Sequence, residues 1–166
     1  MSKKKNIVLT GALGQDGFIL SKILLKNGYN VVGIVKNTNF RNLKGIIYKK
    51  INLLDYKKLS IFLDNVKPFG LIHLGTANPN YLELKKKKDF YINNIKATKN
   101  LINYFSSNSN RNKKLILIGS SQMYGSNKKI VNLNSKFNPI NSYAKFRVEA
   151  YNYMLKKKKK FQSNMV

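Results

Sequence analysis

Thr10-Gly11-Ala12-Leu13-Gly14-Gln15-Asp16-Gly17 stands directly behind the apolar run Ile7-Val8-Leu9. An amphipathic helix pattern carrying Phe18, Ile19, Ile23, Leu24 and Leu25 follows it. Glycines spaced G-x-x-G-x-x-G between a strand and a helix are what a dinucleotide pyrophosphate needs. Gly11 permits the tight turn, Gly14 lets the backbone approach the phosphates, and Gly17 lets helix and strand pack closely. The helix start at Gln15 and Asp16 offers free N–H groups and a positive dipole end to the anion. The stretch therefore reads as a cofactor loop rather than an incidental cluster of glycines.

Outward from this loop the chain alternates strand and helix. Strands are expected at 6–9, 30–35, 46–51, 70–74 and 115–118. Helices are expected at 15–27, closed by Gly28, at 55–66 behind an Asp55 N-cap, at 89–105, and from Ser142 into the lysine run 156–160. Continuous apolar strands separated by helices indicate an α/β domain whose parallel sheet is covered on both faces.

The segment after the second strand, Val35-Lys36-Asn37-Thr38-Asn39-Phe40-Arg41, decides the cofactor. An NAD site of this type places Asp or Glu there to accept from the ribose hydroxyls, and no carboxylate lies between Asp16 and Asp55. Lys36, Thr38 and Arg41 suit a 2′-phosphate instead, so NADP is expected in preference to NAD.

At 166 residues and 43% hydrophobic content the chain supports one domain with a core. The absence of cysteine excludes disulfides and thiolate metal sites, and no metal is expected. No apolar stretch approaches the roughly 20 residues of a membrane span. Met1-Ser2-Lys3-Lys4-Lys5 leads straight into the first strand without a secretory apolar region, so the expected location is the cytoplasm. The formal charge of +26 raises the question of nucleic acid. The cations are almost all lysine, spread through every segment beside abundant Asn and Ile, with no interleaved stacking aromatics. Composition drift accounts for that charge, and no specific nucleic-acid partner is expected. The field would still attract anionic nucleotides.

The glycine loop, Gly33-Ile34-Val35-Lys36, Val66-Lys67-Pro68, Ile72-His73-Leu74-Gly75, the run from Asn94 to Leu101, Ser120-Ser121-Gln122-Met123-Tyr124-Gly125 and Tyr143 together resemble the extended short-chain dehydrogenase/reductase family of epimerases and dehydratases. Gln15-Asp16 between the last two glycines is most similar to the GDP-mannose 4,6-dehydratases. The resemblance covers residues 6 to about 155, roughly the first half of a usual member. It implies a doubly wound, Rossmann-like sheet of strand order 3-2-1-4-5, lacking the last strands and the C-terminal substrate domain. A dinucleotide-binding domain over 1–155 would be followed by a lysine-rich tail, 156–166, read as truncated or vestigial. The fifth strand would then be left as an open edge.

By the same resemblance, Asn52 stands where the family has an adenine-binding Asp, with Leu53 beside it, and Leu74 with the turn Gly75-Thr76-Ala77 passes under the cofactor. Tyr143 is the expected base and Ser120 its hydroxyl partner, with Ser121 the second candidate. Tyr normally titrates near ~10, so the family sets a Lys one helical turn on to make its proton removable. Here that position holds Arg147, a non-conservative exchange expected to cost most hydride-transfer competence. Lys145 lies about 200° round the helix, on the opposite face. Gln122 replaces the Glu that dehydration needs, and an amide does not exchange a proton at neutral pH. His73, the one histidine, is expected to be structural. The implied substrate is a nucleotide-sugar, a GDP-sugar by the nearest resemblance, once a C-terminal domain completes the pocket; a homo-oligomer is compatible. Epimerase or 4-ketoreductase chemistry is closer than dehydration, and a catalytically impaired nucleotide-binding protein is the alternative.

Overall fold

A computed structural model describes residues 4–36, 43–77, 87–107, 113–126, 130–132, 134–157 and 162–165. The elements run β1 (Asn6–Thr10), α1 (Gln15–Lys26), β2 (Asn30–Val35), β3 (Ile46–Lys50), α2 (Tyr56–Val66), β4 (Gly70–His73), α3 (Lys87–Phe105), β5 (Lys114–Leu117), a 3₁₀ turn (Ser121–Tyr124), α4 (Ser142–Lys157) and β6 (Gln162–Met165). All the strands pair in parallel, in the order β3-β2-β1-β4-β5-β6.

Strand alternation divides the core between the two faces of this sheet. Val8, Val32, Leu71 and Leu115 pack with Leu59 and Leu63 of α2, Leu101 and Phe105 of α3, and Met154 of α4. Ile7, Leu9 and Val31 point the other way, against Leu20, Leu24 and Leu25 of α1. Both faces are thus covered, which is why these strands read as continuous apolar runs.

The helix ends follow from local chemistry. Asp55 caps α2 by accepting from the Lys58 N–H at 3.0 Å. Behind α1, the Gly28 N–H donates to Leu25 O and the Tyr29 N–H to Leu24 O, with Gly28 at φ +80°. That pair of bonds is the Schellman closure, and only glycine adopts its left-handed residue without strain.

The expected order 3-2-1-4-5 is present, and one feature extends it. β5 is not an open edge: Gln162–Met165 lies along Lys114–Leu117 in parallel register. Gln162-Ser163-Asn164-Met165 has neither an apolar run nor a clean alternation, so no periodicity marked it as a strand. Edge pairing draws on main-chain N–H and C=O groups, which every such residue carries.

Candidate functional site

The carboxyl ends of β1, β2 and β4 open onto one cavity of about 840 Å³. Its floor is the turn Thr10–Leu13, and its sides are Ile34–Lys36, Lys50–Leu54, Gly75–Ala77 and the first turns of α3, from Asp89 to Ala97. A crevice outside the carboxyl ends of strands is where open α/β sheets take ligands.

The floor is built for close approach. Gly11 has φ +71°, and a Cβ on it would stand 2.7 Å from the Gly75 nitrogen. A Cβ on Gly17 would stand 2.2 Å from the Gly11 carbonyl oxygen and 2.8 Å from Ala12 Cα. Position 17 must therefore be glycine if α1 is to begin this close to the turn. Gly14 differs, since a Cβ there would meet only Gly11 O, at 3.4 Å. Its other side is open, which is what a phosphate lying over the backbone requires. Gly14 is the N-cap of α1, with no side chain accepting from the first N–H groups, and Gln15 and Asp16 are exposed around it. Those donors remain for an anion. The cradle fits a dinucleotide pyrophosphate.

Of the expected cofactor residues, Gly11, Lys36, Asn52, Leu53, Gly75 and Thr76 line the cavity. Gly14, Gln15, Asp16 and Gly17 form the helix start beside it, and the Leu74 N–H donates to Thr10 O at 3.2 Å beneath it. Thr38 and Arg41 lie outside the described residues. Asn52 Oδ1 accepts from the Leu54 N–H at 3.0 Å, turning the chain at the end of β3. Sequence reasoning missed Leu13, Lys50, Asp89, Phe90, Asn93 and Asn94, whereas Ala77 lines the cavity as expected. Asn94 is a clamp: its Oδ1 accepts from the Ala77 N–H at 3.2 Å and its Nδ2 donates to Ala77 O at 3.1 Å.

His73, 1% exposed, ties these walls together. The Thr98 hydroxyl donates to Asn94 O at 2.8 Å, so its oxygen accepts from His73 Nε2–H at 3.1 Å. Across the ring, Thr10 Oγ1 accepts from the Gly75 N–H at 2.9 Å and turns its own proton to His73 Nδ1 at 2.6 Å. Every polar atom is satisfied with a neutral ring protonated at Nε2. Burial, helped by the Arg147 charge, lowers its pKa from 6.5 to about 3. The histidine is thus part of the scaffold, holding β1, the loop after β4, and α3 in one arrangement.

Beyond Thr76 stands the expected chemical group. One Arg147 nitrogen donates to Tyr143 Oη at 2.6 Å and to Thr76 Oγ1 at 2.8 Å, and the other donates to Ile118 O. The guanidinium is 3% exposed and lies 4.8 Å from the Tyr143 ring centre. Its Nε is buried without a partner among the described residues. Arg147 therefore staples the loops after β4 and β5 to α4 and fixes the Tyr143 hydroxyl. Ser120 and Gln122 do other work. The Ser120 hydroxyl oxygen caps the 3₁₀ turn, accepting from the Gln122 N–H at 3.2 Å. Gln122 Oε1 accepts from Asn141 Nδ2 at 2.9 Å, while Asn141 Oδ1 accepts from the Ala144 N–H at 2.9 Å at the start of α4. Gln122 thus positions the helix that bears Tyr143. Lys145 is exposed, away from Tyr143, as its helical angle requires.

Among the described residues no helix is long and apolar enough to cross a membrane, and no His, Cys, Asp or Glu group could hold a metal ion. The model of the NAD dependent epimerase/dehydratase family matches residues 7–166. The curated protein GDP-mannose 4,6 dehydratase 2 of Arabidopsis thaliana is 26% identical over 90% of this chain and 45% of its own length. Its companion GDP-mannose 4,6 dehydratase 1 is 27% identical over 90% and 46%. The chain thus spans about half the length of the curated relatives it matches. Among solved structures, the UDP-glucose 4-epimerase of Thermotoga maritima with UDP-glucose superposes at a TM-score of 0.84, with 17% identity, over 97% of this chain and 54% of that one. The UDP-glucose 4-epimerase of Brucella ovis in complex with NAD gives 0.82, 19%, 97% and 50%.

Proposed function

Because this chain belongs to the NAD dependent epimerase/dehydratase family, we propose that it is the NADP-binding region of an enzyme that modifies a nucleotide-sugar, most similar to GDP-mannose 4,6-dehydratase. The observation that carries this reading is the single arrangement of cavity, glycine cradle and Tyr143, joined through Thr76 and Arg147. Gly11, Gly14 and the N–H groups opening α1 hold the pyrophosphate. Lys36, Asn52 and Leu53, at the ends of β2 and β3, would hold the adenosine half. Gly75 and Thr76, on the side of Tyr143, would hold the other half. When bound, the cofactor supplies a hydride acceptor. Tyr143 takes the proton of the substrate hydroxyl, and Arg147, donating to the same oxygen, holds it in place.

Titration of the purified chain with NADP⁺ and NAD⁺ by calorimetry tests the binding half of this reading. We expect micromolar NADP⁺ binding and weaker NAD⁺ binding; no heat from either would overturn it.

A second reading, a nucleotide-binding protein with impaired chemistry, is favoured by one feature. Three of the five Arg147 N–H groups are committed to Ile118, Thr76 and Tyr143, so the guanidinium is held by the protein's own loops. Gln122, likewise, is occupied with Asn141 and supplies no acid. The discriminating variant is Arg147→Lys, in the chain joined to the C-terminal half of a relative. Reduction of bound NADP⁺ by a GDP-sugar, followed by nicotinamide absorbance, is expected to rise roughly tenfold or more over Arg147. Absence of turnover in both proteins would establish the binding-only reading.

A further inference from the structure

The cavity holds a second lysine that the glycine loop and the β2 segment do not announce. Lys50 ends β3, and the parallel register sets it directly beside Val35, the last residue of β2. Lys36 is the next residue along. Both lysines are exposed and both line the cavity, on the two outermost strands of that side of the sheet. Among the described residues neither has a carboxylate within ion-pair distance; the recorded pairs there are Lys58 with Asp55 and Lys99 with Glu149. Asp89, the one carboxylate among the described residues on the cavity wall, lies in the first turn of α3.

Which half of a dinucleotide meets these lysines follows from the topology, and here the inference rests on the proposed function. The pyrophosphate sits at the β1 turn, in the middle of the sheet. Tyr143 and Arg147 draw the reacting half toward β4 and β5, through Thr76 and Ile118. The adenosine half is left for β2 and β3. There a plain ribose offers a neutral diol, which leaves both ammonium groups without a counter-charge. A phosphomonoester offers up to two negative charges and three acceptor oxygens. We propose that Lys50, together with Lys36, reads the 2′-phosphate of NADP, so that the end of β3 is a specificity determinant of this site.

Bulk attraction is the competing explanation, since a chain of +26 favours the more anionic ligand whatever its local contacts. Lys49 separates the two. It precedes Lys50 on β3, is exposed, and does not line the cavity. Lys50→Gln and Lys49→Gln remove the same charge from adjacent positions. Calorimetric Kd values for NADP⁺, NAD⁺ and adenosine 2′,5′-bisphosphate should be measured for both variants and for the unaltered chain, with thermal unfolding as the folding control. In Lys50→Gln, NADP⁺ and the bisphosphate are expected to weaken roughly tenfold, with NAD⁺ within twofold. Lys49→Gln should leave the ratio of NADP⁺ to NAD⁺ affinity unchanged. Equal losses in the two variants, or an intact ratio in Lys50→Gln, would overturn the assignment while leaving the dinucleotide site standing. NAD⁺ binding without NADP⁺ preference in the unaltered chain would overturn it too. Failure of both dinucleotides to bind would remove the proposed function, and this inference with it.

Discussion

Alanine at position 17 is expected to abolish dinucleotide binding, raising Kd at least a hundredfold, and to lower stability by about 2–3 kcal/mol. The added methyl would lie 2.2 Å from the Gly11 carbonyl oxygen and 2.8 Å from Ala12 Cα, both backbone atoms. No rotamer can relieve such a clash, so either α1 retreats from the turn or the turn opens. Retreat carries away the N–H groups at Gln15 and Asp16 that would face the pyrophosphate, and opening disturbs Gly11, packed against Gly75. Gly14→Ala is the informative companion, because its methyl meets protein only at 3.4 Å. It should fold with nearly unchanged stability and lose binding only through crowding of the ligand. Calorimetry with NADP⁺, beside urea unfolding of each variant, checks both. If Gly17→Ala bound NADP⁺ as tightly as the parent, the cradle could not be the phosphate site.

That turn was readable from the sequence because its constraints are local. A strand, a tight turn and a helix start within twelve residues leave glycines at fixed offsets, and the cap at Asp55 and closure at Gly28 are equally local. The other cavity wall was not readable. Asp89, Phe90, Asn93 and Asn94 reach the site because α3 returns over the sheet, and nothing in their own spacing separates a cavity face from a core face. Asn94 in particular earns its place by bonding Ala77, seventeen positions away. Gln122 shows the reverse limit. Comparison by motif marks it as a missing acid, whereas its bond to Asn141 gives it a positioning role no motif describes. The edge strand Gln162–Met165 was hidden for a third reason, since its pairing is main chain to main chain.

His73 makes the scaffold sensitive to acid, by a sign opposite to that of a histidine held by a carboxylate. In the unfolded chain its ring takes a proton below about 6.5, while in the folded chain burial, with the Arg147 charge behind it, lowers that pKa to about 3. Between those values the unfolded state binds the extra proton, so the stability present above pH 6.5 drains away as pH falls. At about 1.36 kcal/mol per pH unit, the full loss approaches 5 kcal/mol, a large part of the 5–15 typical of a domain. The hydrogen bonds give the same direction. A charged ring would drive a second N–H at Thr10 Oγ1, which already accepts from the Gly75 N–H and would have to turn its own proton away. Few other groups confuse the reading above pH 5, since the chain has six carboxylate side chains and one histidine. The experiment is urea unfolding by circular dichroism between pH 7.5 and 4.5, on the parent and on His73→Gln. The parent's unfolding free energy should fall by about 2.7 kcal/mol across that interval, and the variant's by much less, although its stability at pH 7.5 is lower. Parallel pH dependences would mean that the acid response comes from elsewhere.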